Sequence, residues 1–170
     1  IDRIMKLIRA TMTPIDKEAI EKMCENYVLE LEEGWTRIII KAMNAFNAYN
    51  ENPDRSCFEL DYQDMISEPV RNQEIRLSKY DFVFLDEAQD ASKLDQLLIS
   101  KLIRPVTGRL ICVGDRRQSI YGFRGAAPDS FEQFMQRPNT VQLPLSISYR
   151  LTKELVRNAK KIYPEIEEWE

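Results

Sequence analysis

The chain has 170 residues, of which 44% are hydrophobic and 31% are charged, and its formal net charge is −4. This length and hydrophobic fraction suffice for one ordinary domain core or for parts of two. A net negative charge excludes attraction of nucleic acid by the charge of the whole molecule, so any contact with a phosphate backbone has to be local. With no histidine and three widely spaced cysteines, the sequence also lacks the usual ligands of a zinc site.

The sparse, odd number of cysteines is typical of a protein kept in a reducing cytoplasm, and this is the location we expect. Apolar runs all fall short of the roughly 20 residues that a membrane-spanning helix needs, so we expect no membrane partner. The chain begins with Ile1 followed by charged residues, which is neither an initiator methionine nor a signal peptide. We therefore expect an internal part of a longer protein.

The first third of the sequence has the pattern of packed helices. Thr13 and Pro14, followed by acidic residues, predict a helix start, and apolar residues then recur at helical spacing as far as Gly34. A second amphipathic run extends from Ile39 to Tyr49. We expect a pair of packed helices here, and none of these residues has recognisable chemistry.

After residue 76 the pattern changes to strands alternating with helices. Residues 82–85 (FVFL) and 110–113 (LICV) are short apolar runs that predict buried parallel strands, with a helix over 92–103 between them. Strand, helix and strand form the unit of an α/β fold, in which ligands gather at the carboxyl ends of the strands. The remaining predicted elements are a short helix over 128–135, a strand over 141–147 and an amphipathic helix over 151–162.

Two adjacent carboxylates follow the first predicted strand. The segment DEAQD, residues 86–90, places Asp86 and Glu87 where this strand ends. In nucleotide hydrolysis an aspartate at a strand end holds the magnesium that bridges the phosphates, and a neighbouring glutamate can orient or deprotonate the attacking water. An exposed acidic turn leading into the next helix is the alternative interpretation, because short acidic matches are common.

A basic segment containing three glycines follows the second predicted strand. Residues 114–126, GDRRQSIYGFRGA, contain three arginines and one aspartate, a local charge of +2 in an acidic chain. Arginine combined with Tyr121 and Phe123 is typical of single-strand binding, where bases stack on rings and cations meet phosphates. Alternatively, the two rings pack in a core and the arginines are solvated. The glycines favour DNA binding, because they keep the backbone open around those side chains.

These two segments closely resemble motifs II and III of superfamily 1A DNA helicases of the UvrD/Rep/PcrA type. Residues 60–65, LDYQDM, are similar to the D-[FY]-x-D-[LM] segment of that family, and residues 145–150, LSISYR, are similar to its motif IV. The four matches stand in family order. The resemblance implies an ATP-dependent helicase or translocase, monomeric, that uses Mg2+ and ATP and moves 3′ to 5′ on single-stranded DNA.

The resemblance implies roles in ATP hydrolysis for five residues. Asp86 and Glu87 would bind magnesium, and Glu87 would also be the catalytic base. Gln118 would reach toward the γ-phosphate and couple the nucleotide state to the DNA site. From a second RecA-like domain, Arg150 would contact the γ-phosphate as an arginine finger, and Tyr149 would stack on the adenine.

The same resemblance implies a DNA site and a domain order. Tyr121, Phe123 and Arg124 would lie along the single strand, Phe123 standing where relatives often have tryptophan. The fold would be α/β, a partial RecA-like parallel sheet flanked by helices and preceded by a helical segment of the inserted 1B subdomain. The implied divisions are 1–56 for the end of the 1B subdomain, 57–137 for the distal part of RecA-like domain 1A with motifs II and III, and 138–170 for the start of domain 2A with motif IV.

The phosphate-binding motif G-x-x-x-x-G-K-[ST] is absent from the 170 residues, since none of the five glycines is followed by lysine. The backbone donors and the lysine that would hold the β- and γ-phosphates are therefore missing. We expect the parent protein to be an ATP-dependent DNA helicase and this chain alone to be inactive. The alternative is a helicase-like protein that binds DNA or a partner without ATPase activity. Glu87, Gln118 and Arg150 argue against it, because binding alone would not require all three.

Overall fold

Helices and short parallel strands make up the computed structural model, which describes residues 1–51, 61–119, 126 and 129–169. The chain divides into two units, Ile1–Phe134 and Met135–Glu170. The combination of helices with parallel strands confirms the predicted α/β class. Among the helices of the described ranges, none has the length and apolar character needed to cross a membrane.

The first unit begins with four helices and continues with a strand, a helix and a strand, and each strand is followed by a single 3₁₀ turn. Its elements are α1 (Asp2–Thr11), α2 (Lys17–Asn26), α3 (Trp35–Asn50), α4 (Tyr62–Arg71), β1 (Phe82–Leu85), α5 (Lys93–Leu102) and β2 (Arg109–Cys112). Helix α6 (Ser130–Met135) follows, and the first unit ends within its last turn, at Phe134. The elements after it are β3 (Ile147–Ser148), α7 (Lys153–Ala159) and β4 (Glu167–Glu168).

Helices α1, α2 and α3 pack around one apolar core. The predicted pair of helices corresponds to α2 and α3, and α1 completes the cluster. Each helix contributes side chains at helical spacing, which removes one face of each from water. The buried members of this core are Ile4, Leu7, Ile8, Ile20, Met23, Cys24, Ile39 and Met43.

For helix α2, the bounds predicted from the sequence, Thr13 to Gly34, are wrong at both ends. Asp16, rather than Thr13, is the N-cap, because its carboxylate accepts a hydrogen bond from the Ala19 N–H (2.9 Å). The helix ends at Asn26, and Val28 follows in a left-handed conformation with φ 51°. The apolar residues between Val28 and Gly34 pack against the core from a loop. Their helical spacing therefore did not correspond to a helix.

A buried arginine joins α1 to the start of α4. The Arg9 side chain is 5% exposed and donates to both oxygens of Asp61 (2.8 and 3.0 Å) and to Asp64. Asp61 and Asp64 also form a capping box at the start of α4. The hydrogen bonds from Arg9 lower the pKa of Asp61 to about 2. The aspartates of the LDYQDM segment thus have a structural role in this chain.

Strands β1 and β2 form a two-stranded parallel sheet with α5 as the connection, which confirms the predicted strand–helix–strand unit. Val83 and Leu85 pack on one face of the sheet together with residues of α5 and α6. On the other face Phe82 and Phe84 are exposed, at 59% and 73%. The expectation that β1 is buried on both faces is therefore wrong for the described residues.

The second unit contains a smaller parallel pair, in which Ile147 aligns with Glu167 and Ser148 with Glu168. The predicted strand over 141–147 is wrong for residues 141–146, which have no strand structure. Pro144 has no N–H to donate to a ladder, and Val141, Leu143 and Leu145 are exposed. The alternating apolar pattern therefore did not produce a strand in this segment.

Candidate active site

The carboxyl ends of β1 and β2 lie side by side. In the parallel register Leu85 aligns with Cys112. Beyond the strands, the Val113 N–H donates to the Leu85 carbonyl (2.8 Å) and the Ala88 N–H donates to the Val113 carbonyl (2.9 Å). The DEAQD segment and the segment that begins at residue 114 are therefore held against each other at one edge of the sheet.

Asp86 and Glu87 are both exposed where β1 ends. The Glu87 N–H donates to Asp86 Oδ1 (2.9 Å). Glu87 has φ 49° and ψ 46°, a left-handed conformation that is uncommon for residues other than glycine and that concentrates at functional sites. The strained turn projects the Glu87 side chain from the end of the strand, at the head of the 3₁₀ turn Ala88–Asp90.

Gln89 connects the two strand-end segments. Its side chain is buried, with 3% of the residue exposed. Its Nε2 donates to Glu87 Oε2 (2.7 Å), and its Oε1 accepts a hydrogen bond from the Asp115 N–H (3.0 Å). Both ends of the amide are therefore used, one for each segment.

Asp115 continues the connection toward Gln118. Its Oδ1 accepts from the Arg117 N–H (2.9 Å), and its Oδ2 accepts from Gln118 Nε2 (3.0 Å). The Gln118 N–H also donates to the Asp115 carbonyl (2.9 Å). A continuous path of hydrogen bonds thus links Glu87, Gln89, Asp115 and Gln118, so the structure brings two of the predicted catalytic residues into one network.

Gly114 makes room for this network. A Cβ atom at this position would lie 2.9 Å from the Ala88 nitrogen and closer still to Gln89 Oε1. The sequence predicted that this glycine keeps the backbone open around DNA-binding side chains. In the structure, this glycine allows the close approach of the end of β2 to the DEAQD turn.

An open cavity of about 340 Å³ adjoins the carboxylates, with Asp86, Glu87, Asp90 and Asp95 in its lining. Within the described residues, no group of three or more acidic or cysteine side chains is arranged to hold a metal ion. Magnesium commonly binds through one or two carboxylates and takes its remaining ligands from water and substrate phosphates. Asp86 and Glu87 fit this mode of binding.

Comparison with known proteins decides the family. The family model described as "UvrD/REP helicase N-terminal domain" matches the chain over residues 5–139. The chain belongs to the UvrD/REP helicase family. This confirms the family that the motifs predicted.

This UvrD/REP chain is similar in sequence to DNA helicases, of which three are described here. F-box DNA helicase protein 1 of Schizosaccharomyces pombe is 38% identical over 82 residues, which cover 48% of this chain and 9% of the relative. DNA helicase II of Escherichia coli is 26% identical over 149 residues, 81% of this chain and 19% of the relative. DNA helicase II of Haemophilus influenzae is 31% identical over 84 residues, 49% of this chain and 11% of the relative. The chain therefore spans less than a fifth of these relatives.

The other predicted site residues of this UvrD/REP chain fall into two groups. Tyr149 and Arg150 belong to the second unit, where both are exposed just after β3. Tyr121, Phe123 and Arg124 lie outside the described residues. At the end of the same segment, Ala126 is 1% exposed and its carbonyl accepts a hydrogen bond from the Tyr27 hydroxyl (3.1 Å).

No role for Gln89 was predicted from the sequence of this UvrD/REP chain. A signal for it was present in the DEAQD segment, because an amide two residues after a candidate base can donate to that base. No such signal existed for the bond to Asp115, which is 26 residues away.

Proposed function

We propose that this chain is part of an ATP-dependent DNA helicase or translocase that acts on single-stranded DNA and moves 3′ to 5′. The observation that carries the proposal is the hydrogen-bonded path between Glu87 and Gln118 at the ends of β1 and β2. Membership of the UvrD/REP family supports DNA as the substrate, and so do the relatives that are named as DNA helicases. The working protein is a monomer in this proposal.

The proposed domain order assigns residues 57–137 to RecA-like domain 1A, residues 1–56 to the 1B subdomain and residues 138–170 to domain 2A. The parallel β1–α5–β2 unit, with polar residues at its carboxyl edge, supports the first assignment, because α/β folds bind ligands there. Helix α1 contacts α4 and α5, so the end of the 1B subdomain would be anchored on domain 1A.

In the proposed mechanism Asp86 would hold the magnesium that accompanies ATP, and Glu87 accepts a proton from the water that attacks the γ-phosphate. Magnesium held there would supply positive charge to offset the charge that develops on the phosphate oxygens. Gln118 would contact the γ-phosphate, and the family resemblance assigns nucleotide binding to Arg150 and Tyr149 as well. The exposure of the Glu87 carboxylate supports its assignment as a base that meets a water molecule.

DNA binding is assigned to Tyr121, Phe123 and Arg124, which follow Gln118 within six residues. Base stacking on aromatic rings contributes about 1–3 kcal/mol per base, enough to change the grip on DNA in each cycle. Because Gln118 and the rings belong to one short segment, a movement of Gln118 on loss of the γ-phosphate would be passed to the rings.

The 170-residue chain by itself is expected to show no ATP hydrolysis above background, with or without single-stranded DNA. A metal-binding aspartate and a base cannot position a triphosphate without the phosphate-binding loop and its lysine. Phosphate release by the purified chain measures this, with the full-length protein as positive control. DNA-stimulated turnover by the chain that disappears in Glu87→Gln would contradict the expectation.

Two substitutions in the full-length protein test the coupling between ATP and DNA. Phe123→Ala should weaken single-strand affinity and reduce unwinding while the DNA-free ATPase rate changes little. Gln118→Ala should keep DNA binding but abolish its dependence on nucleotide. The measurement is single-strand affinity by fluorescence anisotropy, with and without a non-hydrolysable ATP analogue.

Retention of the full nucleotide-dependent change in affinity by Gln118→Ala would show that this segment is not the coupler. A full-length protein that binds DNA but never hydrolyses ATP would instead be a helicase-like binding protein. In that protein Glu87→Gln would have no effect on any measured property.

A further inference from the structure

The amide of Gln89 is placed so that each of its two ends has only one suitable role. The Asp115 backbone N–H can only donate, so the carbonyl oxygen of Gln89 has to face it. The NH2 group then faces Glu87 Oε2 at 2.7 Å, and an ionised carboxylate can only accept. Gln89 itself is buried at 3% exposure, so water competes little for its own amide atoms.

Glu87 depends on such a contact for a defined orientation. Its side chain is exposed, and its backbone is in a left-handed conformation at the head of the 3₁₀ turn. A long exposed carboxylate samples several rotamers, and holding one of them costs conformational entropy. The hydrogen bond that the Glu87 carboxylate accepts from Gln89 favours one of these rotamers over the others.

The rest of the Gln89 turn is held firmly. The Ser130 hydroxyl donates to the Ala88 carbonyl (2.8 Å) in a buried position. The Ser119 hydroxyl donates to the Gln89 carbonyl (3.4 Å), which ties the turn to the second strand-end segment again. Gly114 leaves the space that the Gln89 side chain occupies. Gln89 is thus a fixed point from which the exposed carboxylate of Glu87 can be oriented.

We propose that Gln89 is a positioning residue that orients the Glu87 carboxylate for catalysis and joins it to the Asp115–Gln118 segment. This inference rests on the proposed function of Glu87 as the base. Gln89 itself touches neither water nor phosphate in the reaction; it acts through Glu87. A displacement of the Asp115–Gln118 segment would therefore alter the orientation of the base as well as the DNA site.

Two variants of the full-length protein separate the two halves of the amide. Gln89→Met keeps the length of the side chain and removes both hydrogen bonds. Gln89→Glu keeps an acceptor for the Asp115 N–H but places a second carboxylate against Glu87. Both are expected to lower kcat for ATP by roughly 10- to 100-fold, because misplacing a catalytic group by about 1 Å has effects of this size. KM for ATP should stay within about threefold, since the phosphate contacts are unchanged.

A double-mutant cycle distinguishes positioning from general support of the fold. In single-turnover experiments, adding Gln89→Met to Glu87→Gln should cause no further loss of rate, because the group that Gln89 orients is already gone. A merely structural residue would instead lower the rate by the same factor in both backgrounds. Thermal unfolding of every variant identifies any loss of folded protein.

The matched control is Gln96→Met. Gln96 is also buried, at 9% exposure, and its Nε2 has no hydrogen-bond partner among the described residues. This variant should leave kcat within about twofold of wild type, as expected for a site without a role in catalysis. If Gln89→Met does not fold, Gln89→Glu decides, because it keeps the bond to Asp115.

Three results would overturn the inference, and they differ from one another. Gln89 variants with near-wild-type kcat, in a protein that Glu87→Gln inactivates, would show that Glu87 needs no positioning. An equal loss in both backgrounds of the cycle would show that Gln89 acts independently of Glu87. A Glu87→Gln protein with near-wild-type turnover would remove the proposed base itself, and the inference would fail together with that part of the proposed function.

Discussion

Replacing Glu87 with glutamine in the full-length protein is expected to lower ATP turnover by a factor on the order of 10² or more while ATP binding is retained. The amide has nearly the same shape as the carboxylate, so the change removes the base and one charge and little else. Its oxygen can still accept the hydrogen bond from Gln89 Nε2, so the side chain keeps its place. The loss of rate would then report proton transfer rather than misfolding.

Two measurements on the same sample check this result: phosphate release for turnover, and binding of a fluorescent ATP analogue for affinity. Glu33→Gln is a suitable control, because it makes the same chemical change at an exposed loop position outside the two strand-end segments. Turnover of Glu87→Gln within a few-fold of wild type would mean that another group activates the water.

Replacing Arg9 with methionine is expected to destabilise the chain by about 3–5 kcal/mol at pH 7, because removing one partner of a buried ion pair leaves an uncompensated charge. The charge left behind is that of Asp64, whose side chain is 5% exposed. The methionine fills most of the volume and keeps an apolar contact with Phe46, over whose ring the guanidinium lies at 4.7 Å. The electrostatic loss should therefore dominate.

Urea unfolding of wild type and Arg9→Met measures the difference. Arg3→Met is the control, since Arg3 lies on the same helix but is exposed, and its replacement should change stability by no more than about 0.5 kcal/mol. Adding Asp64→Asn to Arg9→Met should restore part of the loss, because the amide needs no counter-ion. A loss below about 1 kcal/mol in Arg9→Met would mean that the buried pair is not a net stabilising contact.

The same pair of proteins carries a pH dependence with a defined sign. Arg9 lowers the pKa of Asp61 from 3.8 to about 2 in the folded chain. A carboxylate with a lowered pKa stabilises the fold fully above its unfolded pKa, and this contribution is lost as the pH falls through the folded value. The stability difference between wild type and Arg9→Met should therefore shrink between about pH 4 and pH 2.

Local features of the chain were predictable wherever one pattern excluded the others. The strand Phe82–Leu85 has the predicted bounds, because a four-residue apolar run that ends in acids leaves little choice of structure. The helix between the strands differs by one residue at each end, with Ser92 as its cap. Residues 141–146 have an alternating apolar pattern that is typical of a strand. A strand also requires a partner that can pair with it, and Pro144 removes a hydrogen-bond donor from that segment.

The sequence by itself determined the family, the α/β class and the positions of the candidate catalytic carboxylates, because these follow from residue types at short spacings along the chain. Only the tertiary structure decided which polar side chains form hydrogen bonds with one another. Gln89 meets Asp115 across 26 residues, and Arg9 meets Asp61 and Asp64 across 52 and 55. Contacts of this range depend on how helices and strands pack, and a side chain's chemistry alone does not select its partner among many equivalent groups. The fold selects it, because burial leaves each of these polar side chains with one reachable set of partners.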